Sequence, residues 1–193
     1  VCVWYLITGG PPKKTKDIKR YQEIFDINYI SGMIVFPEQV PADAVEIEFY
    51  YYYRDMLFDP TYQVYFQCTY EPEAFQKEIA RLENIHKSYA GKEKKLLRDE
   101  KNKFNYPVYI AMENHCSCYE YALITGENQI TYISTAYVQE EKMVCDKDYL
   151  PVDFMEDKGA DFASGYCIYA ISSSDMYVDY DSTRDENVEV TDN

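Results

Sequence analysis

The sequence predicts an α+β domain: an antiparallel β-sheet with one long helix, over about residues 72–88, and a shorter N-terminal helix packed on it. A β-sandwich with a peripheral helix is the competing architecture. Three observations lead there. Tyr and Phe are abundant, 22 and 9 against 1 Trp in 193 residues, and broad flat side chains pack well on a pleated surface. Several segments alternate between apolar and polar residues with the period of two that a strand requires. One segment, 72–88, repeats its apolar residues with a helical period instead.

Taken in order, residues 15–28 form the shorter helix, with Ile18, Tyr21, Ile24 and Phe25 near one face. GMIVFP then makes a short apolar run closed by Pro37, and EQVPADA is an extended loop. In VEIEFYYYY, Val45, Ile47, Phe49, Tyr51 and Tyr53 point one way and Glu46, Glu48, Tyr50 and Tyr52 the other. TYQVYFQCTY repeats the pattern, with Tyr62, Val64, Phe66, Cys68 and Tyr70 opposite Gln63, Tyr65, Gln67 and Thr69. The two read as an antiparallel hairpin.

Pro72 suits the first turn of the long helix and Glu73 the positive end of its dipole. Phe75, Ile79, Leu82 and His86 supply its apolar stripe. Residues 87–103 read as a charged connector with a short helix around 94–101. YPVYIAM, CYEYALIT and QITYISTAYV follow as strands, with a tight turn at Gly126, Glu127 and Asn128 between the last two. After an irregular stretch, GYCIYAI is a further strand and MYVDY a last short one.

The formal net charge of −15 opposes approach to phosphate backbones and anionic lipid, so nucleic acid is not an expected partner. The charge is uneven. Residues 13–20 carry five cations and one acid, and residues 175–193 carry seven acids and a single Arg. The apolar VCVWYLI reads as the end of an anchor or signal segment, with GGPPKKTK as a spacer, since seven residues are far short of the about 20 a membrane helix needs. The expected layout is therefore an anchor remnant and spacer over 1–14, one α+β domain over 15–181 and an acidic polar tail over 182–193. That layout implies an extracytoplasmic location, membrane-anchored or secreted, with membrane contact only through the N-terminal anchor. The alternative is a cytoplasmic protein with reduced thiols.

NHCSCYEY brings His115, Cys116 and Cys118 together, yet the C-x-C spacing falls where a strand begins rather than in a zinc knuckle. Residues two apart in a strand share a face at about 6.5–7 Å, too far for the roughly 3.8 Å between disulfide-bonded Cβ atoms. Cys116 and Cys118 are thus expected not to bond each other, and each could reach Cys68 or Cys167 on a neighbouring strand. No metal and no cofactor is expected. The acids Asp179, Asp181 and Asp185 do not make an EF-hand, because Arg184 stands where the loop needs Gly and Val190 where it needs the bidentate Glu.

No GxSxG, HExxH, P-loop or GxGxxG pattern occurs, and no catalytic residue is assigned. The tyrosines carry the binding expectation instead. Pairing the first two long strands displays Glu46, Glu48, Tyr50, Tyr52, Tyr65 and Gln67 on one sheet face, where rings and hydrogen-bonding groups can hold a carbohydrate or a peptide. The competing structural outcome is that a helix or second sheet covers this face. The functional expectation is a non-catalytic binding or structural module. Its rival is a small hydrolase acting on a cell-surface polymer, which would show as a deep pocket of carboxylates with raised pKa values.

Overall fold

The computed structural model describes residues 10–25, 33–56, 60–89, 91–115, 117–156 and 165–169. Its centre is a seven-stranded antiparallel sheet. The strands are β1 (Lys13–Thr15), β2 (Val45–Arg54), β3 (Thr61–Thr69), β6 (Val108–His115), β7 (Cys118–Gly126), β8 (Gln129–Ala136) and β9 (Tyr166–Cys167), in the order β1-β2-β3-β8-β7-β6-β9. One α-helix, α1 (Pro72–Glu83), and a separate two-stranded hairpin of β4 (His86–Tyr89) and β5 (Lys92–Lys95) lie in the connection from β3 to β6. The protein is an α+β fold, and its main strands form a single sheet rather than a sandwich of two.

Two meanders, β1-β2-β3 and β6-β7-β8, join where β3 pairs with β8 along its whole length, from Tyr62 opposite Ala136 to Thr69 opposite Gln129. This joint is covered on both faces. On one, the 3-10 helix Ile18–Ile24 places Tyr21 against Phe66 with ring centroids 5.0 Å apart, Phe36 meets Tyr132 at 5.6 Å, and α1 buries Leu82. On the other, Phe104 packs on Tyr121 at 4.9 Å and Phe154 on Tyr119 at 4.7 Å. Buried tyrosine hydroxyls tie these covers down: Tyr21 donates to the Pro37 carbonyl at 2.7 Å and Tyr121 to the Tyr149 carbonyl at 3.0 Å. A buried hydroxyl without a partner would cost free energy, so these bonds decide where the covering segments sit.

Four local expectations are corrected. The long helix ends at Glu83, not near residue 88, because Asn84 turns its side chain back onto the Ala80 carbonyl at 2.7 Å and the chain leaves as β4. The N-terminal helix is a 3-10 helix over Ile18–Ile24; apolar residues at 18, 21 and 24 recur every third position, the repeat of that tighter helix. The helix expected around 94–101 is absent, and residues 92–95 are β5. Finally, Val45 and Ile47 do not join the apolar face of β2. A register shift between Val45 and Glu48, with Glu46 at φ +52°, forms a bulge that leaves Val45 51% and Ile47 37% exposed.

Two strands differ in length from expectation. β6 runs on through Asn114, at φ +52°, to His115, which pairs with Cys118 across the turn, and among the described residues of GYCIYAI, 165–169, the strand β9 comprises Tyr166 and Cys167. Cys116 and the expected strand MYVDY lie outside the described residues.

Candidate functional site

The face predicted to carry the tyrosines exists, and its two ends have different fates. In the β2–β3 register, Glu48 faces Gln67, Tyr50 faces Tyr65, and Tyr52 faces Gln63, so these six side chains share one side of the sheet. The segment containing the short 3-10 helices Glu140–Lys142 and Lys147–Tyr149 crosses over that side. Gln63 holds it at two points: its amide donates to the Lys142 carbonyl at 3.0 Å and accepts from the Val144 amide at 3.1 Å. Gln67 donates to the Thr131 hydroxyl at 2.6 Å and the Tyr149 hydroxyl at 3.2 Å, and Tyr65 stacks on Tyr149. Half of the predicted face is thus used to hold its own cover.

The other half stays open and forms two clefts that share Tyr50. The first, ≈ 370 Å³, runs between the β2 end and the covering segment, with Lys16, Ile47, Glu48, Tyr65 and Val144 in its lining. The second, ≈ 350 Å³, continues along β2 past Tyr52, Arg54 and Thr61 to Tyr137 and Lys142. Both sit at the small end of ligand-sized clefts, about 300–1,000 Å³. The half-buried Tyr50 lines both of them. Burial, with the neighbouring Tyr52, pushes its phenol above the ordinary range, so it stays a neutral hydroxyl able to donate and accept. Burial also raises the Tyr65 phenol, whose hydroxyl donates to the Glu48 carboxylate at 3.3 Å.

Of the residues singled out from sequence, Glu48, Tyr50, Tyr52 and Tyr65 line these clefts. Gln67 is buried and lines neither. Glu46 sits on the bulge, where it accepts a hydrogen bond from the Thr69 hydroxyl at 2.9 Å. The lining residues that sequence reasoning missed, Lys16, Tyr137, Lys142 and Val144 among them, come from segments remote in the chain. Alternation along one strand pair carries no information about what crosses over it. No family model, curated protein or solved structure matches this chain. Its geometry and chemistry therefore carry the functional argument.

Charged groups are placed differently in the two clefts. Lys16 and Glu48 line the first; Arg54 and Lys142 line the second, without a carboxylate among the described residues. The carboxyl most displaced from its ordinary acidity lies elsewhere. Glu120 on β7 is fully buried, and desolvation pushes it from 4.5 up to about 7 despite hydrogen bonds from the Ile34 and Val35 amides at 2.7 and 2.8 Å and from the Tyr169 hydroxyl. It holds residues 33–37 onto the sheet and lines neither cleft. Lys103 likewise bridges buried Glu113 at 2.9 Å and Asp153 at 2.8 Å, away from both.

Among the described residues, no group of three or more His, Cys, Asp or Glu is arranged to hold a metal ion. Cys68 and Cys145 carry free thiols, and burial pushes both up to about 12, which makes them poor nucleophiles. The second histidine, His86, pairs with Glu93 at 3.2 Å on the hairpin.

Proposed function

We propose that this chain is a non-catalytic binding module, a single domain over residues 15–181, and that it takes a carbohydrate chain along the open margin of β2. One observation carries the reading: two clefts of similar size share Tyr50 in their linings, with hydrogen-bonding side chains from β2 and the covering segment around it. A flat ring shared by two clefts with polar linings suits consecutive sugar rings, which offer an apolar face to stack and hydroxyls at the rim. Tyr50 and Tyr52 are the stacking residues in this reading, and Glu48, Lys16, Arg54 and Lys142 are the hydrogen-bonding ones. The hydrolase reading has weaker support. It needs a deep pocket of carboxylates with raised pKa, and the raised carboxyl, Glu120, lies beneath residues 33–37 instead.

A panel of defined neutral and acidic oligosaccharides, with unstructured peptides as a parallel arm, tests the proposal on the full chain. Saccharide binding that falls roughly tenfold or more in Tyr50→Ala is the expected result, about the value of one aromatic contact with its buried area. Saccharide binding indifferent to Tyr50→Ala and Tyr52→Ala, or binding of peptides alone, would overturn it.

The proposal also puts the module outside the cytoplasm. The N-terminal VCVWYLI followed by a spacer supports this, although residues 1–9 lie outside the described residues. No helix among the described residues is long and apolar enough to cross a membrane. Thiol counting tests the location, and must be done on unfolded chains because Cys68 is buried and its thiol is raised to about 12. Reaction of all six cysteines would remove the argument for an oxidising compartment.

A further inference from the structure

Lys103 brings a primary amine between two carboxylates inside the fold. Its Nζ lies 2.8 Å from Asp153 Oδ2 and 2.9 Å from Glu113 Oε1, and the side chains of Lys103, Asp153 and Glu113 are only 16%, 17% and 2% exposed. Charged groups this deep are costly to hold, because each gives up most of its hydration. The charges are also unbalanced, one cation against two anions.

Three segments of the chain position this trio. Lys103 lies in the connection from β5 to β6, Glu113 on β6, and Asp153 in the turn over residues 152–155. The Val152 amide donates to the Lys103 carbonyl at 2.9 Å, which seats the backbone next to Asp153 against that of Lys103. A second tie between the same segments runs from the Asn105 side chain to the Asp148 carbonyl at 3.2 Å. β6 pairs on both sides, with β7 and β9, so Glu113 sits on a fixed frame while Asp153 sits on a turn. The chain neighbours of the two ends pack inward: Phe104 on Tyr121 and Phe154 on Tyr119.

An amine 2.8 Å from a carboxyl oxygen is at most about 4 Å from the carboxyl carbon, one C–O length of about 1.2 Å further on. That approaches the separation of about 3–3.5 Å from which bonds form. In water an ammonium and a carboxylate remain ions because both are well hydrated. Here burial removes much of that hydration, and an amide would replace a buried ion pair by a neutral group. Fixing the partners side by side also supplies effective concentrations of up to about 10⁵–10⁸ M. Burial pulls the Lys103 pKa down, and hydrogen bonds to Asp153 and Glu113 pull it up by more, so the amine starts as an ammonium and needs a base. Glu113 is a base already in contact with it.

We propose that Lys103 and Asp153 condense into an intramolecular isopeptide bond, with Glu113 as the proton carrier. Glu113 takes a proton from the ammonium, and the freed electron pair of Nζ attacks Cγ of Asp153. The Nζ–Cγ bond forms and one Cγ–O bond breaks. The departing oxygen leaves as water with two protons from the nitrogen, one of them handed over by Glu113, which ends as the carboxylate it began as. Nothing is oxidised or reduced. The bond closes a loop over residues 103–153 that contains β6, β7 and β8, and such a closure restricts the unfolded chain as a disulfide does.

Intact-mass spectrometry of the full chain, unfolded and with its thiols reduced, tests this. The unmodified chain should be lighter than its sequence mass by one water, and a digest should yield a branched peptide joining Lys103 to Asp153. Lys103→Arg keeps a cation between the two acids but removes the amine, and should show the full sequence mass. Glu113→Gln should leave most chains without the bond. The mass of the unmodified chain decides the proposal even where a variant fails to fold. The full sequence mass in the unmodified chain, a water loss that persists in Lys103→Arg, or a branch at Glu113 in place of Asp153 would overturn it. Condensation as complete in Glu113→Gln as in the unmodified chain would overturn the role of Glu113.

Discussion

Tyr132 and Tyr50 lie two strands apart in one sheet and have different roles. Tyr132, on β8, is fully buried between Phe36 and Phe66; its hydroxyl donates to Glu78 at 2.8 Å and meets the Tyr70 hydroxyl at 2.6 Å. Tyr50, on β2, is half-buried and borders two clefts. Residue type does not separate them. What differs is coverage: β8 has α1 and residues 33–37 on its Tyr132 side, whereas the cover over β2 stops at the residues that Gln63 holds. Tyrosine supplies strand propensity at both positions, and its hydroxyl is spent on structure only where something packs on top.

The largest effect that breaks this comparison should come from Tyr132→Ala, expected to cost about 3–5 kcal/mol in denaturant unfolding, since it opens a large cavity at the joint of the two meanders. Tyr132→Phe should cost about 1–3 kcal/mol, because it keeps the ring but takes a hydrogen-bond donor from the buried Glu78.

The next effect concerns Glu120 and pH. Its folded acidity is raised from 4.5 to about 7, so the folded state holds the proton more tightly than the unfolded one. Its contribution to stability is fully present below pH 4.5 and is lost as pH rises through about 7. Glu120→Gln, which mimics the protonated form, should remove this dependence and gain on the unmodified chain by about 3 kcal/mol between those limits. Unfolding midpoints of the two chains across pH 4–8 would check it, and parallel curves would refute it.

Gln63→Ala addresses the boundary between the two regions. It should cost about 1–3 kcal/mol through the Lys142 carbonyl and Val144 amide left without Gln63, and should speed hydrogen exchange at the Val144 amide. The smallest stability effect belongs to Tyr50→Ala, expected within about 1 kcal/mol by the same unfolding measurement. If Tyr50→Ala destabilises as much as Tyr132→Ala, the open margin is structural and the binding reading fails.

Much of the sheet was legible because alternation is a local property. The β2–β3 pairing, the tight turn before β8 and the shared side of Glu48, Tyr50, Tyr52 and Tyr65 all follow from a period of two and from turn residues. Non-local effects defeated the rest. The 72–88 stripe reads as one helix because His86 falls four residues after Leu82, and only the Asn84 side chain, which competes for the Ala80 carbonyl, reveals the stop. Val45 and Ile47 continue the apolar pattern of β2, yet the bulge at Glu46 turns them out to water. In NHCSCYEY, the structure pairs His115 with Cys118 across the β6–β7 turn and buries Cys118 on the sheet, while Cys116 lies outside the described residues.

By itself the sequence determined that this chain builds an antiparallel, tyrosine-rich sheet with a helix between two sets of strands, since propensity and periodicity act within a few residues. Only the tertiary structure decided which tyrosines hold the fold and which face a ligand-sized cleft. That choice depends on segments remote in the chain, such as residues 33–37 over β7 and β8 and residues 139–149 over β3. Where those covers lie is set by a few hydrogen bonds, accepted by Glu120 and donated by Gln63 and Tyr121, whose partners no local pattern names.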